Sequence, residues 1–417
     1  MLTHKKFIFG LFSILLLMAA YFGTRPQKCA DAICARAHAK PHADAPTYSV
    51  RGLYPVGRQV LAMAEEPNLE LSLWYPAEAG VGEAEPYAYQ IKLPVVGAVT
   101  LATDASYAVQ DAAYDLADGP YPLVILSPGF AMSASSYGWL AEHLASYGFV
   151  VLAVEHDEQM NPETGLWQGA VKRPFEIQSV FAYVDTQTQP GGTLAGLVDA
   201  ETVAMLGHSY GGYTALAAAG ARIDSAGLNT HCEEATREEH PAAWLCDMLL
   251  PHLPEMADLA GLTTQPDGLW PGWGDERVAA VVALAGDAFF FGEAGLAEIN
   301  APVLAIGGTA DHDSPFEWSA QPTYDYVSSP RKALVALEEA EHMIFTNPCA
   351  AVSWYARPLA GEFCADTTWN RLEAHDLISH FTTAFLLAEL KQDAAAATAL
   401  APEAAAFPQI RYAAEGY

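Results

Sequence analysis

The hexapeptide Gly207-His208-Ser209-Tyr210-Gly211-Gly212 constrains the fold of this chain more than any other feature. It follows an apolar run at 202–206 that reads as a buried strand, and it precedes a small-residue helical run beginning at Tyr213. A GxSxG pattern alone arises often by chance. Between a strand and a helix it predicts a turn so sharp that its central residue sits in strained backbone. Glycines on either side remove the Cβ atoms that would clash where strand and helix approach. Ser209 then stands at a helix N-terminus, where free N–H groups and the helix dipole favour developing negative charge.

A serine hydroxyl is a poor nucleophile without a base, and a base needs orienting. In a strand–turn–helix context the expected chain order is serine, acid, histidine. A buried strand at 302–306 leads into Gly307-Gly308-Thr309-Ala310-Asp311-His312-Asp313, which makes Asp311 the first choice of carboxylate. Asp313, two residues on, and Asp287, after the preceding apolar strand, are the alternatives. The next strand, 333–337, leads to Glu341-His342-Met343, so His342 is the candidate general base. His312 is adjacent to the acid, while His375 and His380 fall on a final helix at i,i+5, where structural roles are expected. An acyl-transfer site also needs donors for its oxyanion. One is the N–H of Tyr210, directly after the nucleophile. The other is expected from Phe130, in the Ser127-Pro128-Gly129-Phe130 loop that follows an apolar strand at 123–126.

Elsewhere the chain alternates short β-rich runs (69–75, 149–154, 278–284) with helical stretches (137–146, 175–184, 213–222, 369–390). Such alternation predicts an α/β fold with a mainly parallel sheet flanked by helices. The segment at about 223–275 breaks the rhythm. It is apolar and aromatic-rich, and it reads as a cap or lid inserted over the sheet. The aromatic C-terminal tail is expected to pack back onto the body.

Lys5 and Lys6 precede an apolar run at 7–23, so residues 1–23 read as a cleavable signal peptide or an uncleaved N-terminal anchor, and 24–46 as a linker to a single domain at 47–417. The body is therefore expected to be periplasmic or secreted, or tethered to the inner membrane by that segment. Six cysteines suit such a compartment. Proximity suggests Cys29–Cys34, Cys232–Cys246 and Cys349–Cys364. A net charge of -30 disfavours nucleic acid and anionic membrane surfaces as partners. There is no GxGxxG or GxxxxGK[ST], and neither His156-Asp157-Glu158 nor Asp311-His312-Asp313 has metal-ligand spacing, so no cofactor and no metal is expected.

Taken together, Leu73-Trp74-Tyr75-Pro76-Ala77, Ser127-Pro128-Gly129-Phe130, Gly207-His208-Ser209-Tyr210-Gly211-Gly212, Gly308-Thr309-Ala310-Asp311 with Pro315, and Glu341-His342-Met343 make the chain resemble a family. It is that of the α/β-hydrolases grouped with predicted dienelactone hydrolases and secreted platelet-activating-factor acetylhydrolases, over about residues 48–392. The resemblance implies an α/β-hydrolase fold, a Ser209–His342–Asp311 triad, and oxyanion donors at Phe130 and Tyr210. It also implies hydrolysis of a small-molecule or lipid ester, lipid-like or aromatic with a short acyl group. The chain departs from true dienelactone hydrolases, whose nucleophile is cysteine. The Ser-Pro-Gly-aromatic loop is also similar to that of cutinase-like polyester hydrolases. Polyester hydrolysis, amide or peptide cleavage with the same triad, and a non-catalytic binding module are therefore the alternatives.

Overall fold

A computed structural model describes residues 46–417 apart from 66, 79–83, 85 and 159–160. The leader, nearly all of the linker and the Cys29–Cys34 pairing lie outside the described residues. Among the described residues there are thirteen strands: β1 (Val56–Ala62), β2 (Glu70–Pro76), β3 (Tyr87–Leu93), β4 (Gly97–Asp104), β5 (Val109–Gln110), β6 (Tyr121–Ser127), β7 (Val150–Glu155), β8 (Val198–His208), β9 (Val278–Leu284), β10 (Val303–Gly308), β11 (Lys332–Leu337), β12 (Ala351–Val352) and β13 (Ile410–Glu415). Ten form one sheet in the order β13-β11-β10-β9-β8-β6-β7-β2-β1-β5. From β7 through β11 the pairing is parallel, and antiparallel strands flank it: β2 against β7, and β13 against β11. The C-terminal tail thus packs back as an edge strand, which hydrogen-bonds the otherwise open side of β11.

The central strands are apolar on both faces because both are covered. Leu123, Ile125, Leu152, Val154, Val203 and Met205 enter one core. Their neighbours in sequence, Val124, Leu126, Val151, Ala153, Ala204 and Leu206, enter a second core on the opposite face. This is the two-residue alternation of a strand read twice over. The first core is covered by α2 (Pro162–Gln187), the second by α1 (Gly138–Ser146) and later by a long C-terminal helix (Arg371–Leu390). Helix α2 starts well before the expected 175 and runs through Pro174. Proline lacks the N–H that would bond the carbonyl four residues back. The Tyr213 hydroxyl donates to that carbonyl, Ala170 O, at 2.6 Å. A small antiparallel sheet of β3, β4 and β12 was not evident from the sequence pattern.

Two features position the site. The chain crosses from β6 to β7 on one side and then to β8 on the other, so β6 and β8 are adjacent at the point where the winding reverses. Loops at the carboxyl ends of such strands diverge and leave a crevice. Between α3 (Tyr210–Ala218) and β9, the inserted segment forms α4 (Ser225–Arg237), α5 (Trp244–Leu249) and α6 (Leu253–Leu259). Cys232 and Cys246 are disulfide-bonded and join α4 to α5. Leu228, Leu245, Leu249 and Met256 extend the core that α2 covers. A second disulfide, Cys349–Cys364, braces the chain that follows β11.

Candidate active site

Ser209 falls between the end of β8 and the first residue of α3, with φ 57° and ψ −124°. A non-glycine residue there stores about 1–3 kcal/mol of strain. The surroundings over-determine it. Its N–H donates to Leu284 O at 2.8 Å, and its carbonyl accepts from Gly212 N at 2.8 Å and Asp287 N at 3.3 Å. The motif glycines are there because nothing larger fits. A Cβ on Gly207 would lie 2.0 Å from Gly211 O, one on Gly211 1.9 Å from Ser127 O, and one on Gly212 2.3 Å from Gly286 Cα.

His342 opens a short 3-10 turn after β11 and is buried. Its Nδ1 lies 2.7 Å from Asp311 Oδ2. The other Asp311 oxygen accepts the N–H groups of Asp313 at 2.9 Å and Ser314 at 2.8 Å, which fixes the carboxylate. Of the three acids considered from the sequence, Asp311 is therefore the one that holds the ring. Asp313 contributes its backbone, and Asp287 instead accepts from Ser314 Oγ at 2.6 Å. Burial opposes charge on His342, but the Asp311 carboxylate, aided by Asp313 and Asp287, outweighs it and raises the imidazole to about 9. Burial lifts the Asp287 carboxyl to about 7, although the Ser314 hydrogen bond opposes this. His312 is exposed. His375 stacks on Trp139 with ring centres 3.6 Å apart, and His380 Nδ1 accepts the Tyr48 N–H at 3.3 Å, so both have structural roles.

The serine turn and the histidine turn are joined through His208. Its ring centre lies 4.6 Å from that of His342, and its Nε2 lies 3.2 Å from the His342 carbonyl. A carbonyl only accepts, so Nε2 carries the proton and Nδ1 is the acceptor. Tyr137 donates its hydroxyl to that Nδ1 at 2.8 Å and accepts the Gly129 N–H at 3.0 Å. Burial and the neighbouring His342 push His208 well below 6.5, which keeps the ring neutral as this chain of bonds requires. Serine–histidine contacts in ligand-free sites are often long and tighten with substrate. Among the described residues the Ser209 hydroxyl has no hydrogen-bond partner.

Phe130 and Tyr210 meet at the same place, their rings edge to face at 6.0 Å. Tyr210 is the first residue of α3, so its N–H has no acceptor within the helix. The Phe130 N–H has no acceptor among the described residues, although its neighbours Gly129 and Ala131 both donate. Tyr137 and His208 were not identified as functional from the sequence. His208 occupies a variable position of the motif, and Tyr137 lies 71 residues from the ring it bonds. Among the described residues no group of three or more His, Cys, Asp or Glu side chains is placed to hold a metal ion.

A sequence model of the family described as PETase, PET hydrolase-like, matches residues 109–230, which include the Phe130 loop and Ser209. Cutinase est1 of Thermobifida alba is 29% identical over 111 residues, 27% of this chain and 34% of that protein. Bis(hydroxyethyl) terephthalate hydrolase of Streptomyces coelicolor is 29% identical over 105 residues, 25% of this chain and 30% of that protein. The matched region thus spans about a third of the length of these curated relatives. A ferulic acid esterase from Streptomyces cinnamoneus superposes with a TM-score of 0.55 at 22% identity, over 90% of this chain and 98% of that one. The architecture of this protein is the α/β-hydrolase fold, a mostly parallel sheet between helical layers with the Ser209 turn at its switch point.

Proposed function

We propose that this protein is a serine hydrolase of carboxylic esters. The observation that carries the reading is the buried His342–Asp311 pair, 2.7 Å apart, tied through His208 to the turn that holds Ser209 at positive φ. In the proposed reaction His342 Nε2 takes the Ser209 proton as Oγ attacks the ester carbonyl. The Nδ1–H remains on Asp311, which stabilises the imidazolium. The carbonyl oxygen, now anionic, accepts from the Phe130 and Tyr210 N–H groups. His342 returns the proton to the leaving alcohol, and water repeats the sequence on the acyl-serine. Two disulfides among the described residues support an oxidising, extracytoplasmic compartment. No described helix is long and apolar enough to cross a membrane.

The favoured substrates are lipid-like or aromatic esters with a short acyl group, in line with the platelet-activating-factor acetylhydrolase-like resemblance and the aromatic residues around Ser209. Polyester hydrolysis is the second reading, favoured by the match of residues 109–230 to the PET hydrolase-like family. A fluorophosphonate probe tests the nucleophile: wild type is expected to label and Ser209→Ala not to. An acyl-length series of p-nitrophenyl esters, run beside product release from a polyester film, separates the two substrate readings. Hydrolysis of matched anilides at rates equal to the esters would point instead to an amidase.

A further inference from the structure

We propose that Arg173 is a positioning residue for the oxyanion site, and that its guanidinium aims the Phe130 N–H at the reacting oxygen. The proposal rests on the ester-hydrolase reading above. Arg173 lies on α2, is 1% exposed, and was not singled out by any motif. Its Nη1 donates to Pro128 O at 2.7 Å and its Nη2 to Gly129 O at 3.2 Å. Nη1 also reaches Ser127 Oγ at 3.4 Å. Nε donates to Glu158 Oε2 at 3.1 Å, and Nη2 is ion-paired with Glu158 Oε1. That same Oε1 accepts the Ala131 N–H at 2.7 Å. Arginine and glutamate therefore act as one unit, holding three consecutive peptide groups of the loop from behind.

The consequence follows from peptide geometry. A trans peptide is planar, and its C=O and N–H point in opposite directions. The carbonyl of Gly129 and the N–H of Phe130 belong to one peptide group. Drawing that carbonyl toward Arg173 turns the Phe130 N–H away from Arg173. The preceding group obeys the same rule: Pro128 O faces Arg173, and the Gly129 N–H faces Tyr137 on the other side. The following group is reversed, because Glu158 takes the Ala131 N–H. Phe130 is thus the residue whose N–H is left directed outward. The guanidinium carbon also lies 4.9 Å from the centre of the Tyr210 ring, so one side chain bonds the peptide group that carries the Phe130 N–H and packs against Tyr210, the other donor of the proposed site. Lysine cannot replace it, since one ammonium cannot span two carbonyls and a carboxylate in a fixed plane.

Oxyanion donors act on the transition state rather than on the bound ester. Arg173→Lys is therefore expected to lower kcat on p-nitrophenyl acetate by about 10²-fold, the range for losing one such donor, with KM within about twofold. The Ki of phenylboronic acid, which becomes tetrahedral on serine, should rise by a similar factor. Active sites are counted with a fluorophosphonate in each preparation. A merely structural role would reduce the labelled fraction but leave kcat per labelled site and the boronate Ki unchanged, and that result overturns the proposal. If Arg173→Lys does not fold, Glu158→Gln takes its place. It loosens the same guanidinium and carries the same expectation in the same direction. A wild type that neither labels nor hydrolyses the ester overturns the ester-hydrolase reading itself. An active wild type with an unaltered lysine variant overturns only the clamp.

Discussion

The charge state of His342 gives the sharpest test of the site. Its imidazole is held up at about 9 against burial, chiefly by Asp311. Only the neutral ring can accept the Ser209 proton, so kcat/KM should rise with pH through a midpoint well above 6.5 and toward 9. At pH 7 roughly one molecule in a hundred would then carry a neutral ring, and activity should gain about tenfold per pH unit below the midpoint. Replacing Asp311 with Asn removes the largest raising influence and leaves burial opposed only by Asp313 and Asp287. The midpoint should fall by at least about one pH unit, a change worth about 1.4 kcal/mol or more. The rate constant itself should drop by about 10⁴-fold, because the amide no longer fixes the tautomer. Stability should move the other way. A histidine whose folded value is raised stabilises the fold fully below about pH 6.5 and loses that contribution as pH rises through 9. The assays are pH–rate profiles on a soluble p-nitrophenyl ester and an NMR titration of His342 in a Ser209→Ala background. A wild-type midpoint at or below 6.5, or one that Asp311→Asn leaves in place, refutes the reasoning.

Other expectations follow from single contacts. Gly211→Ala puts a methyl 1.9 Å from the Ser127 carbonyl and 2.6 Å from that of Pro128, both backbone, so thermal unfolding should show a loss of about 2–3 kcal/mol together with loss of probe labelling. Tyr137→Phe strands the Gly129 N–H and the His208 Nδ1. It should cost about 1–3 kcal/mol by denaturant titration and lower kcat, with KM nearly unchanged. Replacing Cys232 and Cys246 with serine opens a loop of 14 residues and should lower stability by about 3 kcal/mol in urea, while fluorophosphonate labelling at Ser209 persists.

The features legible from the sequence share one property: each is fixed by a few adjacent residues. Gly207, Ser209 and Gly211 announce the strained turn because only glycine tolerates the crossing of β8 and α3. The runs around Val124, Val151 and Leu206 announce buried parallel strands because they are apolar at consecutive positions, on both faces. Asp311 and His342 were legible as candidates because each follows such a strand. Neighbouring cysteines suggested the two disulfides formed among the described residues.

Partner choice could be ranked from the sequence, with Asp311 first, but not settled, because it depends on distances that the chain sets only when folded. Asp287, Asp311 and Asp313 carry the same chemistry, and a separation of 2.7 Å makes Asp311 the partner of His342 while Ser314 claims Asp287. Arg173 and Gly129 lie 44 residues apart, His208 and the His342 carbonyl 134, so no local pattern could couple them. The antiparallel edges of the sheet arise in the same way, since β13 pairs with β11 only where a partner remains open. Sequence alone determined which groups could do chemistry and on which strand ends they stand. Tertiary structure decided which of them meet, because hydrogen bonds and charge act over a few ångströms in space whatever the separation along the chain.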